Sequence, residues 1–281
     1  MKTLFITSIY SKLWGTDFGG RPSREHHYKL SLLNVLKTNP TKTTCFTSSQ
    51  EIESLRSFFY NDNRVSEEKL ELVVFDLNNS KYFDLIHSKK DLEKMKKSDR
   101  CFEIQYNKFF WFDLIEDRFE YDRVYWIDAG LSHGGIFPGE YRESNTYNGH
   151  FTIKLFTPKF LTKLNNDTAE KPVILMKNNS GRFYWSQTIP RNYYTEFDKS
   201  FHVVGGMFGG TPEKYLQIRN KFENLLVDLL ANESELYMEE QLLSCIYFNN
   251  SEFFNTRIFD DWYKRKGHPE DTYRYFYNLF L

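Results

Sequence analysis

The sequence predicts a single α/β domain with a mainly parallel sheet flanked by helices. Short runs of β-forming residues alternate with segments of helical periodicity from Thr3 to Asp128, the order that parallel sheets require. The run Leu70 to Phe75 is of the type buried on both faces. No repeat, linker or low-complexity segment divides the 281 residues, which suffice for a sizeable core.

In chain order, Thr3 to Ile9 reads as a strand, followed by a loop holding Gly15, Gly19, Gly20 and Pro22. Ser23 is placed to cap a helix from Arg24, whose Tyr28, Leu32, Leu33 and Leu36 recur at helical spacing up to Asn39-Pro40. A second strand at Thr43 to Thr47, a helix at Gln50 to Tyr60 and the strand at Leu70 to Phe75 follow. Lys81 to Lys97 is dense in charge and reads as a solvated helix. Glu103 to Phe119 reads as an aromatic helix and Arg123 to Asp128 as a strand. Beyond Gly130 the pattern is irregular, with strands at Phe151 to Phe156, Pro172 to Met176 and Phe201 to Val204. Two helices close the pattern: Pro212 to Leu230, with Thr211 as N-cap, and Met238 to Phe248. Residues 1–135 form the expected nucleotide-binding half and 136–281 the acceptor-binding half.

Composition narrows the function. Lys+Arg 37 against Asp+Glu 38 leaves a net charge of −1, so no global field draws the chain to nucleic acid. The three cysteines, Cys45, Cys101 and Cys245, are odd in number and lack zinc-site spacing, which fits reduced thiols in a cytoplasmic protein. The apolar N-terminal stretch is too short for a signal-peptide core, and no window approaches the roughly 20 apolar residues of a membrane span. Peripheral membrane contact stays open. Phe 27 and Tyr 19 suit both a core and sugar faces, so their abundance decides nothing.

The most informative segment is Tyr125 to Gly135. An acid directly after four hydrophobic strand residues stands at the carboxyl edge of the sheet, where ligands of such sheets bind. Asp128 can supply an oxygen to a divalent cation bridging a diphosphate, or it can cap the following turn; position alone leaves both readings. Gly205 to Thr211 reads as a glycine-rich loop between a strand and a helix. It lacks the GK[ST] ending of a P-loop and the spacing of a dinucleotide site, which disfavours a nucleoside triphosphatase.

The hydrophobic strand ending in Asp128 resembles the metal-binding strand of GT-A-type glycosyltransferases. WIDAGLSHGG, FEIQYNKFFWFDLI, GGMFGGTPEKY and MEEQLL resemble more narrowly the bacterial HtrL/YibB-type family, regarded as glycosyltransferase-like, over Thr3 to about Phe248. The resemblance implies a nucleotide-sugar donor, UDP-linked for preference, a carbohydrate or lipid-linked glycan acceptor, surface-polysaccharide assembly and a metal cofactor, Mn²⁺ or Mg²⁺. It makes Asp128 a metal ligand. Gly130 stands where the motif's later acid would be, so His268 or His133 would complete the site. Thr7 and Ser8 fall where base and ribose bind, and Arg24 and Lys108 could counter the phosphates. Gly205 and Gly206 would line the donor pocket or simply form a tight turn. Glu239-Glu240-Gln241 resembles an acidic-Gln element, with Glu240 chosen as the acceptor-side carboxylate; helix-dipole stabilisation alone also explains acids there. Two other classes are a metal-dependent nucleotidyltransferase, which a second Asp near Asp128 would support, and a noncatalytic carbohydrate-binding protein.

Overall fold

Thr3–Ser8 (β1), Lys42–Thr47 (β2), Leu70–Val74 (β3), Arg123–Ile127 (β4), Val173–Asn178 (β5), Phe201–Gly210 (β6) and Asn255–Asp260 (β7) join one sheet in the order β3-β2-β1-β4-β6-β5-β7. Four pairings are parallel; β6 runs antiparallel to both its neighbours. The computed structural model describes residues 1–10, 25–89, 101–130, 156–178, 191–193 and 201–260. The glycine loop after β1, Arg24, His133, His268, Lys90 to Lys97 and most of the strand expected at Phe151 to Phe156 lie outside these residues.

Helices cover both faces, as a parallel sheet demands. They are Glu25–Thr38 (α1), Ile52–Arg56 (α2), Phe83–Ser88 (α3), Phe102–Phe110 (α4), Pro158–Asp167 (α5), Pro212–Asn232 (α6) and Glu239–Asn249 (α7). Residues of β1 point alternately to two cores. Leu4 and Ile6 join Trp126, Phe208, Phe109 and Phe222 beneath α4, α6 and α7, whereas Phe5 packs with Tyr125, Phe160 and Leu164 on the α5 side. Trp111, Trp126, Tyr106, Tyr125 and Tyr215 are among the largest fully buried side chains, so much of the chain's aromatic content builds the core. Burying each such ring contributes about 1.5–3 kcal/mol.

Several elements depart from the periodicity. The aromatic helix expected to reach Phe119 ends at Phe110 and tightens into a 3₁₀ turn, Trp111–Leu114. The tightening lets Trp111 stack between Phe46 and Trp126 while Phe112 stacks on Tyr215 of α6. The helix expected at Gln50 to Tyr60 is α2 continued by a wider π turn, Ser57–Asp62. Phe156 occupies a turn at φ 56, its ring 4.6 Å from Phe5. Neither α5 nor β7 was expected.

The glycine-rich segment is the main correction. It is not a loop: β6 continues through it to Gly210. Glycine weakens a strand's sequence pattern but permits close backbone approach. Gly209 sits at φ +143, and a Cβ there would overlap the Val124 carbonyl oxygen and come 2.8 Å from Tyr125 Cα. This strand ends where α6 begins, at Thr211, whose Oγ1 accepts from Lys214 N at 3.3 Å, followed by Pro212 in the first turn. Thr211→Ala is expected to cost about 1 kcal/mol, measured as a lower urea midpoint at unchanged m-value.

All three cysteines are buried and none forms a disulfide. Among the described residues no helix is long and apolar enough to cross a membrane.

Candidate active site

The parallel strands β1, β2 and β4 end at one edge. Ser8 pairs with Phe46 there, and Asp128 follows β4, its N–H donating to Gly206 O at 2.8 Å. β6 arrives from the opposite direction. Its pairing with β5 jumps from Ile174↔Phe208 to Leu175↔Val204, so Gly205, Gly206 and Met207 leave that ladder as a bulge beside Asp128. Bulges release backbone groups for other partners. The Gly205 N–H donates to Glu240 Oε1 at 3.1 Å, and its carbonyl accepts from Lys108 Nζ at 3.3 Å.

Lys108 comes from α4, whose C-terminal end packs beneath β4. Its buried ammonium lies 2.7 Å from Glu239 Oε1 and 3.0 Å from Asp128 Oδ1, and 5.5 Å from the centre of the Trp126 ring. Trp126 Nε1 donates to the same Asp128 oxygen at 3.0 Å. Burial works against the lysine's charge, but Asp128 and Glu239 outweigh it and hold the pKa well above the ordinary value. The cation is fixed.

Glu239 and Glu240 open α7, where Met238 N donates to Gln241 Oε1 at 2.8 Å. The two acids divide their roles by position. Glu239 is buried against Lys108, while Glu240 is half-buried beside Gly205. Burial, then the Glu239 carboxylate, push the Glu240 pKa from 4.5 up to about 7 against the pull of the Gly205 N–H and Lys108; Asp128 adds a smaller push. Ser244 Oγ, one turn on, accepts from Val203 N at 3.0 Å and donates to Glu240 O, seating α7 along β6.

Asp128, Lys108, Gly205, Gly206 and Glu240 thus meet at one edge, with Asp128 keeping 42% of its side-chain surface exposed. Ser8 is half-buried at the same edge, whereas Thr7 is fully covered and its hydroxyl has no hydrogen-bond partner among the described residues. Lys108, expected to counter phosphates, has three acceptors facing its three N–H donors: Gly205 O, Asp128 Oδ1 and Glu239 Oε1. Sequence reasoning missed Glu239. A signal existed: Leu242, Leu243 and Ile246 lie three, four and seven residues on, so Glu239 falls on the buried stripe of α7 and needs a buried cation.

No family model matches the chain, and no curated protein matches it in sequence. Among solved structures, the galactosyltransferase LgtC in complex with donor and acceptor sugar analogues aligns at a TM-score of 0.50 and 7% identity, over 90% of this chain and 72% of that one. Mouse xyloside xylosyltransferase 1 in its apo form aligns at 0.49 and 10% identity, over 98% and 94%. The 4-diphosphocytidyl-2C-methyl-D-erythritol synthase of Anaerococcus prevotii aligns at 0.45 and 11% identity, over 99% and 96%. The protein has a GT-A-like fold: one α/β domain with a mostly parallel seven-stranded sheet.

Proposed function

We propose that this protein is a glycosyltransferase of the HtrL/YibB type that its motifs resemble, moving a sugar from a UDP-sugar to a hydroxyl of a glycan or lipid-linked glycan in cytoplasmic surface-polysaccharide assembly. The observation that carries the reading is the pair of carboxylates at the carboxyl edge: Asp128, half-exposed, and Glu240, half-buried and held by the Gly205 N–H at 3.1 Å. Ligands of α/β sheets bind at this edge.

One carboxylate at this edge, Asp128, is exposed enough to reach a divalent cation. Asp128, Glu239 and Glu240 offer up to three negative charges against one ammonium, a balance that would repel a bare diphosphate. Mg²⁺ and similar ions are commonly held by one or two carboxylates together with substrate phosphates, so the single exposed Asp128 suffices on the protein side. Among the described residues no group of three or more ligands gathers, and His268 is the proposed second ligand. The cation, when bound, would neutralise the departing nucleoside diphosphate.

The rest of the reaction falls to the chain. Ser8 is open to the nucleoside, with Thr7 behind it. Glu240 accepts the acceptor hydroxyl's proton as that oxygen bonds to the anomeric carbon; the bond to the diphosphate breaks and its electron pair leaves with the nucleotide. A pKa near 7 suits proton abstraction at neutral pH better than it suits a permanent counter-charge. Glu240→Gln is therefore expected to slow transfer by roughly 10²-fold with nearly unchanged nucleotide affinity. In the wild type, kcat/KM should rise with pH through about 7 as Glu240 ionises. The same shift acts on stability with the opposite sense. The folded state binds this proton more tightly than the unfolded state, so its contribution is full below 4.5 and is lost as pH rises to about 7. Isothermal calorimetry tests the donor: UDP should bind at micromolar to millimolar affinity, and failure of every nucleotide, with and without Mn²⁺, would sink the reading.

A further inference from the structure

We propose that Lys108 and Glu239 are a buried positioning pair for the two reactive carboxylates: one ammonium joins the end of β4, the bulge of β6 and the first turn of α7, and so sets where Asp128 and Glu240 stand. Its kinetic consequences rest on the glycosyl-transfer reading; its geometry does not. The three acceptors of Lys108 lie on three different elements, so the side chain fixes their mutual placement. A fold that needed only packing here would gain as much from apolar side chains, because a buried ion pair costs desolvation that its attraction barely repays.

Gly205 shows how closely the arrangement is built. A Cβ at this position would lie 2.7 Å from Glu239 Oε1, so the glutamate reaches Lys108 only past a glycine. The N–H freed by the bulge holds Glu240. One residue of β6 thus touches both glutamates, and moving Glu239 disturbs the seat of Glu240. The pair also sets the charge around Glu240. Facing it are Glu239 of its own helix, Lys108 of α4, Asp128 after β4 and the Gly205 N–H; Glu239 and Asp128 favour its protonated form, the other two its ionised form. Lys108 therefore acts on the chemistry through its neighbours and not by touching the diphosphate.

The test compares wild type, Glu239→Gln and the double variant Lys108→Met with Glu239→Gln, which removes both charges and strands neither. The Glu240 carboxyl carbon is followed by ¹³C NMR during a pH titration, its signal assigned by its loss in Glu240→Gln. Without Glu239 the midpoint should fall by about one pH unit, a roughly tenfold weaker hold on the proton. With the ammonium also gone, it should lie above that of Glu239→Gln. In steady-state transfer from a UDP-sugar, the folded double variant should lose about tenfold or more in kcat, with a higher donor KM because Asp128 loses its ammonium partner as well. A wild-type Glu240 midpoint in Glu239→Gln, or an undiminished kcat in the folded double variant, overturns the proposal. If the double variant does not fold, the titration of Glu239→Gln decides. If the wild type transfers from no nucleotide-sugar, the glycosyl-transfer reading falls while the titrations still decide whether the pair positions Glu240.

Discussion

Asp128→Asn is expected to abolish metal-enhanced UDP binding and to lower the transfer rate by about 10³-fold, while the protein folds normally. The magnitude follows from several kcal/mol of leaving-group stabilisation by a metal ion, each 1.36 kcal/mol being tenfold in rate. Folding should survive because the asparagine oxygen still accepts from Trp126 Nε1, and Lys108 keeps Glu239 at 2.7 Å. Among the described residues the side-chain partners of Asp128 are Lys108 and Trp126. Titrating both proteins with UDP, with Mn²⁺ and with EDTA checks this. Binding that is metal-independent and equal in the two would remove Asp128 as the cation's ligand and leave a metal-free transferase as the remaining form of the reading.

Gly209→Ala is expected to have the largest effect on stability, at least about 3 kcal/mol, and to leave little folded protein at 37 °C. Two penalties combine. At φ +143 an L-residue is strained, and the added methyl overlaps the Val124 carbonyl oxygen of the adjacent central strand, which cannot move without breaking the β4–β6 ladder. Urea unfolding measures the loss. A variant within about 1 kcal/mol of wild type would mean that β6 can draw back from β4.

These two residues also mark the limits of sequence reasoning. Asp128 was legible because four hydrophobic residues precede it, and a carboxylate there must stand at the end of a buried strand. Gly209 was visible as a glycine but not as a strand residue. Its β conformation is enforced by pairing with Tyr125, 84 positions earlier in the chain, and local propensity carries no trace of that pairing. The Thr-Pro step that marked α6 recurs at Thr157-Pro158, where Thr157 Oγ1 accepts from Phe160 N at 3.4 Å, so the N-terminus of α5 was readable by the same rule. For β7, the parallel pairing with β5 supplies what its mixed sequence, Asn-Thr-Arg-Ile-Phe-Asp, does not show.

By itself the sequence determined the α/β class, the parallel strands β1 to β4, the carboxylate at their edge and the acidic start of α7, because hydrophobic periodicity and capping chemistry are local. Only the tertiary structure decided which glutamate is buried, that Lys108 serves carboxylates, and that the glycine-rich segment is a bulged strand. Each of these depends on groups brought together from α4, β4, β6 and α7. An ammonium's partners are chosen by which acids share its low-dielectric pocket, and that is a property of packing, not of neighbours along the chain.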